Sequence, residues 1–356
     1  MKSKVWFTGI SENEAADSVG RKLVKLAGAA GLSDMVQKDA LIGILQHVGE
    51  GRGIGFIKPG VTAAVAQQIE RLGGKPFLTG SATLYRGRRS NARDHIAQAY
   101  EHGFTPEVIH CPMVMSDGLL GADMIEAKAP GAQHCKIAYL GSAAALMGGL
   151  VAISHPTGHD GAGFAASIKN VAMGLASRGG KLAMHHGSYP EFQAKKCTAC
   201  GKCAEWCPEN AIVMEKTARL LPEKCVGCGQ CYSVCNFGAI DFRWIFSGAG
   251  FQERLVDYCV AVKSLLGDNM LYANVIQHFQ ANCDCVNTPQ KAVCPDVGIV
   301  VSRDIVAVDA AAADLLVKAS GRDIVLEAGK HEYKGMFEYA EKLGLGSRKY
   351  DLVELR

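Results

Sequence analysis

Cys197-Thr-Ala-Cys200-Gly-Lys-Cys203-Ala-Glu-Trp-Cys207-Pro208 returns 28 residues later as Cys225-Val-Gly-Cys228-Gly-Gln-Cys231-Tyr-Ser-Val-Cys235-Asn236. Each copy leads at the same distance into Ala-Ile, at Ala211-Ile212 and Ala239-Ile240, so the repeat extends beyond the cysteines. Three thiolates at intervals of three residues wrap one face of an iron–sulfur cubane, and the fourth must come from elsewhere in the chain.

This Cys-x2-Cys-x2-Cys-x3-Cys spacing is that of two-cluster ferredoxins, in which the last cysteine of each run serves the other cluster. The pattern therefore assigns Cys197, Cys200, Cys203 and Cys235 to one 4Fe-4S cluster. Cys225, Cys228, Cys231 and Cys207 go to the second. Small residues between the ligands (Ala199, Gly201, Gly227, Gly229) leave backbone N–H groups free to point at the sulfurs. Paired zinc knuckles separated by a longer spacer would be the competing reading, and the duplicated four-cysteine run argues against it. Asn236 stands where the first copy has Pro208, which predicts altered solvation or potential at one cluster.

Outward from this module the pattern is α/β. Strands are expected at Val5–Phe7, Leu41–Val48, Pro76–Thr79, Val151–Ser154, Leu271–Ile276, Gly298–Ser302 and Ile305–Val308. Helices are expected at Ala15–Ala30, Val61–Leu72, Asn91–His102, Gly163–Ala176, Phe251–Leu265 and Ala310–Lys318. The alternation predicts an α/β fold, with largely parallel sheets and flanking helices, interrupted by a two-cluster ferredoxin-like insert. The corresponding divisions are 1–190 (α/β, first part), 191–243 (ferredoxin-like) and 244–356 (α/β, second part).

Composition bounds the function. The chain has 356 residues, 48% of them apolar, and a net charge of +3, too small to argue for nucleic acid or a membrane surface as partner. The charge-free stretch Ile137–Ser154 reaches the lower length of a membrane span. Gly141, Gly148 and Gly149 break it, so a short buried helix, a glycine turn and a buried strand are expected instead. No secretory signal is read at the N-terminus, which makes disulfides the weakest use of fourteen cysteines and predicts a reducing, anaerobic cytoplasm.

In parallel sheets ligands collect at the carboxyl ends of strands. Several polar groups fall at such ends: His47 and Glu50, His155 and His159, Lys169 and Asn170 on the following helix, and Cys283-Asp284-Cys285 with Asp296. Together they predict one shared pocket. The glycine-rich stretch Gly49–Gly55 lacks dinucleotide-binding spacing, and there is no P-loop. The basic run holding Arg86 and Arg89 is either a solvated loop or part of a site for an anionic ligand or an acidic redox partner. Cys111, Cys135 and Cys259 each sit alone and read as core residues, and Cys294 has no role assigned.

Several segments resemble the iron–sulfur members of the family called domain of unknown function 362. They are Phe77-Leu-Thr-Gly-Ser-Ala-Thr-Leu-Tyr85-Arg86-Gly87-Arg-Arg-Ser-Asn91, Asp117-Gly118-Leu-Leu-Gly121, Ser154-His155-Pro-Thr-Gly-His159, Lys169-Asn170-Val-Ala-Met173-Gly, Gly180-Lys181-Leu-Ala-Met-His185, Cys283-Asp284-Cys285 and Pro295-Asp296-Val-Gly298-Ile. Members commonly carry His-Phe-Lys-Gly-His where this chain has His155 to His159. Pro156 and Thr157 replace the middle pair, so no role of that lysine transfers. The resemblance implies that the strand-end groups form one site, and it supplies no substrate.

The expected function is an iron–sulfur oxidoreductase. It would pass low-potential electrons from a donor or acceptor protein, through two 4Fe-4S clusters, to a small-molecule substrate or flavin-type cofactor. In that reading Cys283, Asp284, Cys285, His155 and His159 are catalytic, with a histidine or Asp284 managing protons and a cysteine acting as acid or as ligand to an additional metal. Lys169, holding an anionic group, and Asn170, Asp296, Arg86 and Arg89 bind the cofactor. Two alternatives stay open: an electron carrier whose α/β part only docks partners, and a non-redox metal-dependent enzyme with structural or sensing clusters.

Overall fold

The computed structural model describes residues 2–85, 87–185, 189–225, 227, 229–242 and 249–355. An eight-stranded sheet organises them, in the order Tyr350–Glu354, Ser3–Gly9, Gly298–Ser302, Met270–Ile276, Gly149–Ser154, Leu41–Gln46, Lys75–Gly80, Met113–Met115. Of these eight, Gly298–Ser302 alone runs against its neighbours, and every other pairing is parallel. The protein is thus a mixed α/β fold with a largely parallel central sheet and flanking helices.

The central strands Gly149–Ser154 and Met270–Ile276 are buried at every position because both faces are covered. Val151 and Ile153 point into one core, beneath helices Ala16–Ala29 and Pro59–Arg71; Leu150 and Ala152 point into the other. That second core is roofed by helices Ser167–Leu175, Ala249–Leu266, Ile305–Ser320 and Lys334–Lys342.

Asp309 ties the second core together. Its fully buried carboxylate accepts hydrogen bonds from the backbone N–H groups of Ser167 and Ile168, both 2.8 Å, and from the Asn274 amide, 2.8 Å. One side chain on Ile305–Ser320 thereby holds the N-terminus of Ser167–Leu175 against a central strand, where the helix end favours a negative partner.

Three expectations are corrected. Ile305–Val308 is not a strand but the opening turn of Ile305–Ser320. Asp304 accepts from Val306 N (2.9 Å) and Ala307 N (3.0 Å), and this cap overrides the β-branched composition. Gly163–Ala165 does not begin the following helix but pairs with Thr157–His159 as a small hairpin, and the helix starts at Ser167. Before Gly149–Ser154 comes a strand, Ile137–Gly141, and a single 3-10 turn, Ser142–Leu146, in place of a buried helix. Among the described residues no helix is long and apolar enough to cross a membrane.

The cysteine-rich segment keeps its 28-residue repeat in three dimensions. Strand Pro190–Phe192 corresponds to Ala218–Leu220, the 3-10 turn Ala194–Lys196 to Pro222–Lys224, helix Lys202–Glu205 to Gln230–Ser233, and strand Ile212–Met214 to Ile240–Phe242. The backbone repeats too: Ala199 and Gly227 have φ of 55° and 70°, Gly201 and Gly229 of 76° and 70°. Three of those four positions carry glycine, for which the left-handed region costs nothing. The segment's small core includes Leu84 and Leu182 from the α/β part, which seats it on that body.

Gly158 packs where a side chain has no room: an added Cβ would lie 2.2 Å from the carbonyl oxygen of Ala281. Gly158→Ala is expected to cost about 1–3 kcal/mol in urea unfolding, since this backbone contact cannot relax by a rotamer change. Gly28→Ala, in the last turn of Ala16–Ala29 with nothing within 4 Å of the new Cβ, is expected to stabilise by about 0.5 kcal/mol. Equal effects at the two positions would contradict the packing described.

Candidate functional site

A cavity of about 1180 Å³, counting its open mouth, lies at the carboxyl ends of Leu41–Gln46 and Lys75–Gly80. Helices Ser167–Leu175 and Arg178–Met184 form its opposite wall, contributing Lys169, Asn170 and Lys181. His159, Arg89 and Cys285 also face it. The strand-end rule thus gathers most of the expected groups around one space.

The thiols are arranged asymmetrically. Cys283 is buried behind the wall, and its Sγ accepts from Lys169 Nζ at 3.1 Å and from Cys285 N at 3.2 Å. The adjoining Cys285 and Lys169 together bring the Cys283 pKa down to about 5 against the effect of burial. Cys285, next to that thiolate, is pushed well above the usual thiol range. For Lys169 burial opposes the charge, but the Cys283 thiolate outweighs it and raises the pKa. Lys169 and Cys283 therefore form an ammonium–thiolate pair in the cavity wall.

His155 does not reach the cavity. Its Nδ1 donates to Asp284 Oδ2 at 2.8 Å and its Nε2 to the Gln277 carbonyl at 2.8 Å, while Gln280 donates to the other Asp284 oxygen at 2.9 Å. Burial disfavours the imidazolium, yet the Asp284 carboxylate and the carbonyls outweigh burial and raise the His155 pKa. The pair is a clamp on the Cys283–Cys285 loop. Asn170 is likewise a tether, donating to Ser154 Oγ at 2.9 Å and to the Ile153 carbonyl at 3.2 Å. Asp296 stands apart from the cavity, and its oxygens accept from Asn13 N (2.8 Å) and His278 N (2.7 Å). Arg86 lies outside the described residues.

His159 is neutral. Its Nδ1 accepts from Gly161 N and Ala162 N at 3.0 and 3.1 Å, so the proton sits on Nε2, and burial holds its pKa well below the usual range. His47, His95 and His185 also line the cavity. Burial lowers all three, with Arg89 adding to the effect at His47 and His95 and Lys169 bringing His185 to about 4. Lys181 is brought down to about 7 by burial, which the nearby Asp117 only partly offsets; it donates to Ser81 Oγ (2.5 Å) and the Ala176 carbonyl (2.6 Å). Arg89 pairs with buried Glu50 at 2.8 Å and hydrogen-bonds the Tyr85 hydroxyl. Of these groups, Glu50 and His47 carried a strand-end signal, and Lys181 and His185 lay in a family-like segment. His95 had neither.

The cysteine module forms two much smaller cavities. Cys197, Cys200, Cys203 and Cys235 line one; Cys225, Cys231 and Cys207 line the other, and Cys228 lies outside the described residues. In both, the fourth cysteine comes from the other repeat. Backbone N–H groups of Ala211 and Ala239 donate to Cys207 Sγ (3.2 Å) and Cys235 Sγ (3.3 Å) at matching positions. Among the described residues no three His, Cys, Asp or Glu side chains close on a single-ion site. The second thiol cavity abuts the large one. A Cβ at Gly227 would lie 3.1 Å from Leu182, and one at Gly229 3.9 Å from Leu84, which also lines the large cavity.

Fold and site together define an α/β protein with a polar strand-end cavity and a thiol-rich insert. The chain belongs to the family described as Domain of unknown function (DUF362), whose pattern matches residues 43–314. No curated protein matches. Among solved structures, the chain is similar to the lactate racemase apoprotein from Thermoanaerobacterium thermosaccharolyticum, at 14% identity and a TM-score of 0.39, covering 77% of this chain and 51% of that one. It is also similar to a protein from Thermotoga maritima, at 9% identity and a TM-score of 0.40, covering 93% and 60%. The chain thus spans half to three-fifths of those proteins' lengths, and overlaps this loose carry no functional argument.

A raised histidine pKa means that the His155–Asp284 pair contributes in full below the unfolded histidine value, near 6.5, and is lost as pH rises through the folded value. Asp284→Asn is therefore expected to destabilise the protein by about 3 kcal/mol at pH 6, with a smaller penalty at pH 9. Urea unfolding of both proteins at the two pH values checks this, and a penalty independent of pH would mean that His155 is not charged.

Proposed function

We propose that this protein is an iron–sulfur member of its family, an oxidoreductase that exchanges low-potential electrons between a partner protein and a small molecule bound in the large cavity. The observation that carries the reading is the exchanged arrangement of cysteines around two separate cavities, one of which packs close to Leu84, a residue that also lines the large one. Thiol-only donor sets, with a fourth member from the opposite repeat and N–H groups aimed at sulfur, suit 4Fe-4S clusters. Cys197, Cys200, Cys203 and Cys235 would hold one, and Cys225, Cys228, Cys231 and Cys207 the other.

When bound, each cluster supplies one reversible electron. The rest is work for the chain's own side chains. Leu84 and Leu182 keep water from the region between the second thiol cavity and the large one. Lys181, with its pKa near neutrality, is suited to deliver a proton to a bound acceptor. His159 presents a neutral Nε2–H donor to an acceptor atom of the ligand, while Lys169 and Arg89 are each balanced by an anion of the protein itself. The bound species is a substrate or a flavin-type cofactor. Such chemistry fits a reducing cytoplasm and residues 191–243 acting as a ferredoxin-like unit. A purely docking role for the α/β part would leave a cavity with this many buried ionisable groups without a purpose.

Oxygen-free purification is expected to give about eight iron and eight acid-labile sulfide per chain, with a low-spin paramagnetic signal after dithionite. Cys200→Ala and Cys231→Ala are each expected to leave about four iron. Stoichiometric zinc, or the absence of labile sulfide, would sink the reading.

A further inference from the structure

We propose that Cys283 and Cys285 are a redox-active dithiol, closing to a disulfide in the wall of the large cavity and reopening on reduction. The proposal deepens the oxidoreductase reading, from which it takes its electron donor.

The geometry is that of a couple in its reduced form. Cys283 Sγ accepts from the Lys169 ammonium at 3.1 Å and from a backbone N–H at 3.2 Å, donors that stabilise a thiolate. The second of these donors is the backbone of Cys285 itself, so the Cys283 sulfur already lies against the residue that carries the other thiol. One residue separates the cysteines in sequence, and two residues span no more than about 7 Å between Cα atoms, near the range a disulfide accepts. Cys285 lines the cavity and Cys283 does not, which gives the pair one sulfur open to a small molecule and one held behind it.

The positions of the surrounding groups serve this couple. His155 and Gln280 grip Asp284, the residue between the cysteines, and fix the loop on which both sulfurs ride. Gly158 lets the hairpin press on Ala281, two residues before Cys283. On oxidation the Cys283 thiolate and the Cys285 thiol join through a new S–S bond; two electrons leave, and the thiol proton departs through the cavity to water. Reduction reverses this, taking up two electrons and one proton. The reductant is a low-potential iron–sulfur donor acting twice, one electron at a time, and the oxidant is a two-electron acceptor in the cavity, of the disulfide or quinone class. Oxidation also removes the anion beside Lys169, leaving its ammonium to the cavity.

The sequence supplies a clean readout, because the tryptic peptide from Ser264 to Lys291 contains Cys283 and Cys285 and no other cysteine. Full-length protein, prepared without oxygen, is equilibrated with graded mixtures of reduced and oxidised dithiothreitol. Each sample is quenched in acid, unfolded, alkylated and digested, and its iron and sulfide are measured in parallel. The peptide is expected to appear either with two alkyl groups or with none and two hydrogens lighter, the two forms exchanging in a single transition. Lys169→Met is expected to move the midpoint of that transition about tenfold toward the disulfide, because the reduced form loses the ammonium that stabilises its thiolate. Two alkyl groups in every mixture, including oxidised glutathione alone, would overturn the proposal, as would singly alkylated peptide throughout. Thiols that never pair in a preparation with full iron and sulfide would reject the couple and leave the oxidoreductase reading standing. Thiols that pair in a preparation lacking both would do the reverse.

Discussion

The architecture of the site depends on burying one carboxylate, that of Asp309, among donors from two other elements. A buried carboxylate without partners would be costly, whereas one receiving two backbone N–H groups and an amide is held. Because its donors are the first residues of Ser167–Leu175, the interaction sets both the start and the direction of that helix. Lys169 and Asn170 follow within its first turn. Asn170 reaches back to Ser154 and Ile153, and Lys169 reaches Cys283, so the reach of the cavity's main cation is decided two residues earlier by a side chain that never meets the ligand space.

What could be read in the sequence was what short-range spacing encodes. The cysteine runs, their exchange and the α/β alternation are local signals, and the 28-residue repeat persists in turns, helices and backbone angles. The errors came where a distant or capping contact overrides local preference. Ile305–Val308 looks like a strand to any scale of β propensity, but Asp304 starts a helix there. Gly163–Ala165 looks like a helix start, but the neighbouring hairpin strand claims its backbone.

The site was legible in outline only. Strand-end position pointed to His159, Lys169 and Cys285, which line the cavity. The same rule suggested His155 and Asp296, whose hydrogen bonds are spent on holding loops. Strand-end position reports where a residue is, not which way its side chain turns. Pairs such as Glu50 with Arg89, or Lys181 with Asp117, join residues far apart in the chain, and only the folded arrangement sets them together.

The thiol-rich segment enters and leaves the α/β body through strands that pair with each other, Pro190 opposite Phe242 and Phe192 opposite Ile240. Its two ends are thus zipped side by side, and to the surrounding chain the whole excursion is little wider than a hairpin. A unit attached in this way can be gained or lost in evolution without repositioning the strands on either side. The host cavity and its guest can then have separate histories, with Leu84 and Leu182 as the surface on which the two were fitted to one another.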